Sequence, residues 1–368
     1  MTERTMTAAV LRETGVPFSI EAVEMFDPAP GRVIVRTHAS PFCVTDVHNW
    51  SGALAKIPPT ILGHASIGEV VEVGPSVTRV RVGQRAVVPG TPECGTCYYC
   101  AIGEPWQCGE LFDLNGVYPD IAKGEDGAPI SCAGNVGGYA ELMNVSQNQT
   151  FPIESDLPSE VLSMLGCGIT TGVGAVVNVA QLQAGESVAI FGAGQLGLWM
   201  LQGARLRDAA FVAVVEPDAT RRVAAERLGA DVVIDPAAED HTEVLRRLTD
   251  GRGVDVALEA TNSVSGQRDA LLSSRRGGRI VVTGFERGDS EVTLPQTFLT
   301  LQSRQVRSAQ NGNVRMFRDL ERFTRLLERG KLTPEGIMTR TYAVDEIDAA
   351  RDAAASHDDI CGIIAFPH

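Results

Sequence analysis

The chain has 368 residues, 44% hydrophobic, 21% charged and 5% aromatic. That excludes a disordered, collagen-like or coiled-coil protein and, at about 150 residues per domain, sets an expectation of two domains. Lys and Arg number 32 against 46 Asp and Glu, a net charge of −14, and so acidic a surface repels phosphate backbones and argues against nucleic acid as a partner.

Residues 1–16 lack the basic, apolar and small-residue layout of a secretory leader, so the cytoplasm is the expected compartment. From Ala8 to Val88 short β-branched runs alternate with Gly and Pro, as in Arg32-Val33-Ile34-Val35-Arg36 and Gly68-Glu69-Val70-Val71-Glu72-Val73-Gly74. This predicts a strand-rich first domain. Val161 to Gly185 carries no charge; its length would suit a membrane span, but its Gly, Ser, Thr, Asn and Gln content predicts a buried segment instead. From Ser187-Val188-Ala189-Ile190-Phe191 the rhythm becomes strand, Gly-rich turn, helix to about Leu206, and strand again at Phe211-Val212-Ala213-Val214-Val215. The alternation continues through Val232-Val233-Ile234, Val254-Asp255-Val256-Ala257-Leu258 and Arg279-Ile280-Val281-Val282-Thr283, which predicts an α/β domain with a doubly wound parallel sheet. A helix from Met316 to Arg329 and a last strand at Gly362-Ile363-Ile364-Ala365-Phe366 do not extend that alternation, so the tail is expected to return to the first domain.

Gly192-Ala193-Gly194-Gln195-Leu196-Gly197 follows an apolar strand and opens a helix. In that context GxGxxG lets backbone N–H groups and a helix N-terminus approach a pyrophosphate. Glu216 stands nineteen positions after Gly197 at the end of the next strand; its carboxylate can accept from a ribose 2′-hydroxyl and repels a 2′-phosphate, which favours NAD over NADP. Arg221 joins the loop and Glu216 as a candidate cofactor contact.

Eight cysteines in a reducing compartment read as metal ligands before disulfides. Four fall as Cys94-x2-Cys97-x2-Cys100-x7-Cys108, a spacing that can close a tetrahedral zinc site with no open position, which is a structural one. The neighbouring Glu93, Glu104 and Glu110 deprive this module of the basic stripe that DNA binding needs. Taken singly, Cys43, His64 and Cys167 are ordinary buried thiols and an imidazole. Together, beside a dinucleotide fold, they make a Cys2His set with one open coordination position, a ligand set used by alcohol dehydrogenases.

On these three separated motifs the chain resembles the zinc-dependent alcohol dehydrogenases of the medium-chain dehydrogenase/reductase superfamily over nearly its whole length. The resemblance implies a GroES-like, β-rich catalytic domain at 1–157, rejoined by 303–368, and a Rossmann coenzyme domain at 158–302. It implies two zinc ions per chain, a catalytic one on Cys43, His64 and Cys167 and a structural one on Cys94, Cys97, Cys100 and Cys108. It also gives Thr45 and His48 the proton relay, and Asp46 the hydrogen bond that orients the ligand histidine. Zinc then acts as a Lewis acid on the alcohol, and hydride passes from the carbinol carbon to the nicotinamide. Three positions depart from the family. Ala65 replaces the Glu that usually follows the ligand histidine, Val44 replaces a cation against the pyrophosphate, and Gly90 replaces an aromatic pocket residue. With Leu54 as a small apolar wall, Gly90 implies a pocket for a bulky aromatic or alicyclic alcohol.

Two other readings compete: a reductase of an enal or iminium on the same scaffold, and a zinc-binding protein without catalysis. The family implies a homodimer or homotetramer, and the stretch from Leu111 to Gly138 resembles the loop that differs between those assemblies and borders the substrate entrance. Cys132 and Cys361 read as buried thiols without a role.

Overall fold

A computed structural model describes residues 4–54, 58–110, 118–284, 286–287 and 289–367. The chain forms two compact units: Met1–Cys167 with Arg315–Gly330 and Met338–His368, and Gly168–Val314 with Lys331–Ile337.

The first unit begins with β1 (Thr5–Leu11), β2 (Ser19–Met25), β3 (Arg32–Pro41), α1 (Val44–Trp50), β4 (Thr60–Ile61), β5 (Ala65–Val73) and β6 (Arg85–Pro89). It continues with α2 (Tyr98–Ala101), β7 (Asp120–Lys123), β8 (Pro129–Cys132), β9 (Leu142–Ser146), β10 (Phe151–Pro152) and α3 (Ser159–Ser163). Strands β1, β2, β7, β8 and β4 close a barrel in that order. Its core takes Val10, Leu11, Ile61, Leu62, Ile121, Ile130 and Tyr139, all fully buried. A second sheet is built on β3, which pairs with both β5 and β9. β3 slips register twice against β5, and only glycine fits opposite the bend, because a β-carbon at Gly68 would lie 2.0 Å from Arg36 O. The far end of β3 leads into Cys43 and α1. Residues 158–167, expected in the coenzyme domain, stay with the first unit because α3 buries Val161, Leu162 and Ser163 against β3 and β5.

The second unit holds α4 (Gly168–Gly174), β11 (Ser187–Phe191), α5 (Gln195–Leu206), β12 (Phe211–Val215), α6 (Ala219–Arg227), β13 (Val232–Ile234) and α7 (His241–Leu248). After these come β14 (Val254–Glu259), α8 (Val264–Ser273), β15 (Ser274–Val282), α9 (Gln296–Thr300) and β16 (Gln305–Ser308). Every strand pair is parallel, in the order β13-β12-β11-β14-β15-β16. Strand order reverses beside β11, so the crevice at its carboxyl end, where the Gly-rich turn lies, is the place such sheets offer a ligand. No sequence signal marks β16 (Gln305–Ser308). It is an edge strand with Gln305, Val306 and Ser308 exposed, so it has no apolar run to betray it, and it draws residues 303–314 into this unit.

The chain then returns to the first unit. α10 (Met316–Glu328) buries Met316, Leu320, Phe323 and Leu327 on one face. β17 (Met338–Tyr342) pairs with β18 (Cys361–Ala365), which lies antiparallel to β3 with Ile363 opposite Pro41. Among the described residues no single helix is long and apolar enough to cross a membrane. The uncharged stretch from Val161 is broken into short, mostly buried helices.

Candidate functional site

Three chain segments converge on one cluster in the first unit. Cys43 is the N-cap of α1, in extended conformation (φ −117°, ψ 151°). His64 follows Gly63, whose φ of +86° favours glycine and whose missing β-carbon would lie 2.9 Å from Tyr139 Cδ1. Cys167 ends the short helical turn Met164–Gly166, and Gly166 lies so close to β5 that a β-carbon there would stand 2.9 Å from Ala65 Cβ. The donor atoms of Cys43, His64 and Cys167 all lie within 4.8 Å of one another.

Asp46 sits under this cluster, fully buried. His64 Nδ1 is 3.3 Å from both of its oxygens; Oδ1 also accepts from Gly63 N–H at 3.2 Å and Oδ2 from the Tyr139 hydroxyl at 2.8 Å. The carboxylate assigns the proton to Nδ1 and leaves Nε2 as the ligand atom. Hydrogen bonding from Cys167, then from His64, pulls the Cys43 thiol well below its usual pKa, while the same sharing pushes Cys167 well up. Burial disfavours imidazolium at His64, but the charges of Asp46 and Cys167 outweigh it and raise that pKa well above the usual value. Two sulfurs and one imidazole within 4.8 Å of one another are a donor set that could hold a divalent cation.

Thr45 and His48, three residues apart on α1, share a helix face. Thr45 Oγ1 is 3.6 Å from Cys43 Sγ. Burial lowers the His48 pKa, against the pull of Cys43. Leu54 lies just past α1, 39% exposed, with its N–H on His48 O at 3.3 Å. Gly90 follows β6 beside His64: a β-carbon there would lie 3.0 Å from His64 O. Of the loop 111–138 resembling the family's variable segment, residues 111–117 lie outside the described residues.

The second donor set is the four-cysteine lobe. Cys94 Sγ is 3.9 Å from Cys100 Sγ, and Cys97 Sγ is 3.9 Å from Cys108 Sγ. A tetrahedron with metal–sulfur bonds of about 2.3 Å has edges of about 3.8 Å, so the sulfurs stand where zinc would need them. Backbone N–H groups of Thr96 and Cys97 point at Cys94 Sγ, and those of Cys100 and Gly109 at Cys97 Sγ. The Gly109 and Cys100 bonds bring the Cys97 thiol down to about 6. Arg79 fastens the lobe by donating to Glu93 O and Cys94 O, both at 2.6 Å.

In the second unit the three loop glycines have separate steric reasons. Gly192 has φ +93° and abuts Ala260 O, while a β-carbon at Gly197 would collide with Gly192 O at 1.9 Å. Gly194 faces open space, with only Arg221 Nη1 nearby, 3.8 Å from its absent β-carbon. The Gln195 amide nitrogen is buried without a hydrogen-bond partner. Leu196 lies in the first turn of α5. A tight turn, an open glycine at a helix N-terminus and an orphaned donor fit the pyrophosphate of a dinucleotide. Glu216 is 5% exposed and already accepts from Ala193 N–H at 2.6 Å and Asp218 N–H at 2.9 Å. It therefore fixes the Gly-rich turn.

Residues 29–155 match the alcohol dehydrogenase GroES-like domain family, and residues 196–329 the zinc-binding dehydrogenase family. The chain belongs to the zinc-type alcohol dehydrogenases of the medium-chain dehydrogenase/reductase superfamily. It is 33% identical to a Mycobacterium tuberculosis protein provisionally named alcohol dehydrogenase D, over 97% of this chain and 99% of that one. It is 31% identical to the NDMA-dependent alcohol dehydrogenase of Amycolatopsis methanolica, over 97% and 98%. The crystal structure of benzyl alcohol dehydrogenase from Acinetobacter calcoaceticus superposes with a TM-score of 0.92 at 27% identity, covering 99% of this chain and all of that one.

In this dehydrogenase the sequence motifs mark the donors but miss their supports. Tyr139 is 93 positions from Asp46 in the chain and carries no local signal. Gly166, which sets Cys167 against β5, is equally silent. Val44 and Ala65, two of the three positions that depart from the family pattern, directly follow Cys43 and His64.

Proposed function

We propose that the protein is an NAD-dependent alcohol dehydrogenase with two zinc ions per chain, moving hydride between the nicotinamide and a bulky aromatic or alicyclic alcohol or its carbonyl product. The observation that carries this reading is the contrast between the two donor sets: four mutually close sulfurs in one, and two sulfurs with one carboxylate-oriented imidazole in the other. In this reading the first unit is catalytic, the second binds the coenzyme, and the chain works as a dimer or tetramer.

Cys43, His64 and Cys167 would hold a zinc ion, which when bound would supply the Lewis acidity that lowers the pKa of the alcohol. Asp46 holds the His64 ring by Nδ1, leaving Nε2 available as the ligand atom. Thr45 Oγ1, beside Cys43, accepts the hydroxyl proton as it releases its own toward His48, which burial keeps neutral and which passes a proton on to water. The turn at Gly192, Gly194 and Gly197 with the N–H groups of Gln195 and Leu196 binds the pyrophosphate, Arg221 adds positive charge at Gly194, and Glu216 discriminates against a 2′-phosphate. Support for a bulky substrate comes from Gly90, from Leu54, and from the benzyl alcohol dehydrogenase likeness.

The test is steady-state turnover of benzyl, terpene, cyclic and small alcohols with NAD and with NADP, beside metal analysis of the purified protein. The expected result is two zinc ions per chain and greatest kcat/KM for a ring-bearing alcohol with NAD. Greatest efficiency with ethanol, or with NADP, would overturn that part of the proposal.

A further inference from the structure

Tyr139 touches the surroundings of two metal donors at once. Its ring stacks on Phe42, the residue before Cys43, with centroids 5.3 Å apart and planes 1° from parallel. The same ring packs against Gly63, the residue before His64, where a β-carbon would lie 2.9 Å from Tyr139 Cδ1. Its backbone is fixed in the barrel by Tyr139 N–H to Leu62 O and Ala9 N–H to Tyr139 O. The phenol is therefore held with almost no freedom, and its hydroxyl reaches Asp46 Oδ2 at 2.8 Å. Pro41 O, the alternative acceptor, is 3.4 Å away; the single hydroxyl proton goes to the nearer, charged oxygen.

That bond is the closest of those made to Asp46. The others are His64 Nδ1 at 3.3 Å, Gly63 N at 3.2 Å and Cys43 N at 3.4 Å. A fully buried carboxylate has no water to replace a lost donor. We infer that Tyr139 is a positioning residue of the metal centre, whose hydroxyl clamps the second oxygen of Asp46 and so fixes the His64 ring toward the metal. The inference rests on the proposed zinc at Cys43, His64 and Cys167, and it assigns to the barrel core a direct hold on that zinc.

The four-cysteine lobe supplies an internal control. Wild-type protein, Tyr139→Phe, Asp46→Ala and the double variant are mixed with a zinc-chelating dye, and release is followed as two phases; the phase missing in Cys43→Ser belongs to the three-donor site. Phe keeps the ring packing, so Tyr139→Phe should speed that phase on the order of tenfold, as expected for outer partners of a metal ligand. It should leave the four-cysteine phase unchanged, and shift the visible bands of the cobalt-substituted three-donor site. In the Asp46→Ala background the same substitution should add nothing. Unchanged release in Tyr139→Phe, equal acceleration of both phases, or full additivity with Asp46→Ala would each overturn the inference. Wild-type protein that releases one zinc per chain, in the four-cysteine phase alone, would bring down the catalytic metal itself and this inference with it.

Discussion

Thr45 and His48 differ in what can replace them. The Thr45 hydroxyl sits 3.6 Å from Cys43 Sγ, inside the cluster, where solvent offers no substitute in the proposed relay. Thr45→Ala should lower kcat for alcohol oxidation on the order of a hundredfold or more. His48 is the outer member, and burial lowers its pKa from about 6.5. The neutral, proton-accepting form therefore persists as pH falls through 6.5, and wild-type turnover should hold to lower pH than an exposed imidazole would allow. His48→Gln should lose about tenfold near neutrality and recover toward pH 9, where solvent base takes over; a pH profile of kcat identical to wild type would reject the relay. Glu216 fixes the Gly-rich turn and, in the proposed function, selects the cofactor, and its substitutions bear on both. Glu216→Gly removes the acceptor for Ala193 N–H and should weaken binding of both cofactors, whereas Glu216→Gln removes the charge, keeps one oxygen for Ala193 N–H and gives up the bond from Asp218 N–H. The Gln variant should raise the NADP-to-NAD ratio of kcat/KM by about tenfold, and an unchanged ratio would show that another group selects the cofactor.

Among elements, the short turn Met164–Gly166 carries more than its length suggests. A β-carbon at Gly166 would stand 2.9 Å from Ala65 Cβ and 3.3 Å from Ala65 Cα, so the turn presses the residue before Cys167 against the residue after His64. Gly166→Ala must separate them; it should cost about 1–3 kcal/mol in chemical denaturation and reduce zinc content at the three-donor site. The same packing bears on Ala65→Glu, since the longer side chain has to find room in a site where Ala65 is 1% exposed. Legibility follows from similar physics. Strands β11, β12 and β14 could be read from the sequence because a parallel strand covered on both faces is one apolar run. The cysteine and glycine motifs could be read because ligand spacing and a tight turn constrain neighbours along the chain. β16, with an exposed edge, and the contacts of Gly166 with Ala65 and of Tyr139 with Asp46 could not, because their partners come from distant segments and any apolar or small residue looks alike in isolation.

At the scale of the molecule, the dimer or tetramer that the family resemblance implies would form if β16, one of the two edge strands of the parallel sheet, met its counterpart in a second copy. Sedimentation should give a mass of two or four chains, and a single-chain mass at micromolar concentration would refute it. The position of Cys167 has a further consequence, for the interchange of parts between relatives. The first unit reaches Cys167 and the second begins at Gly168, yet the GroES-like match ends at 155. A hybrid joined at 157 would take the third donor, its Gly166 buttress and α3 from one parent, and Cys43, His64 and Ala65 from the other. The metal cluster would then be a chimera of two lineages, with Ala65 facing a turn that never adapted to it. Joined after Cys167, all three donors descend together, and a coenzyme unit can be exchanged as one heritable cassette.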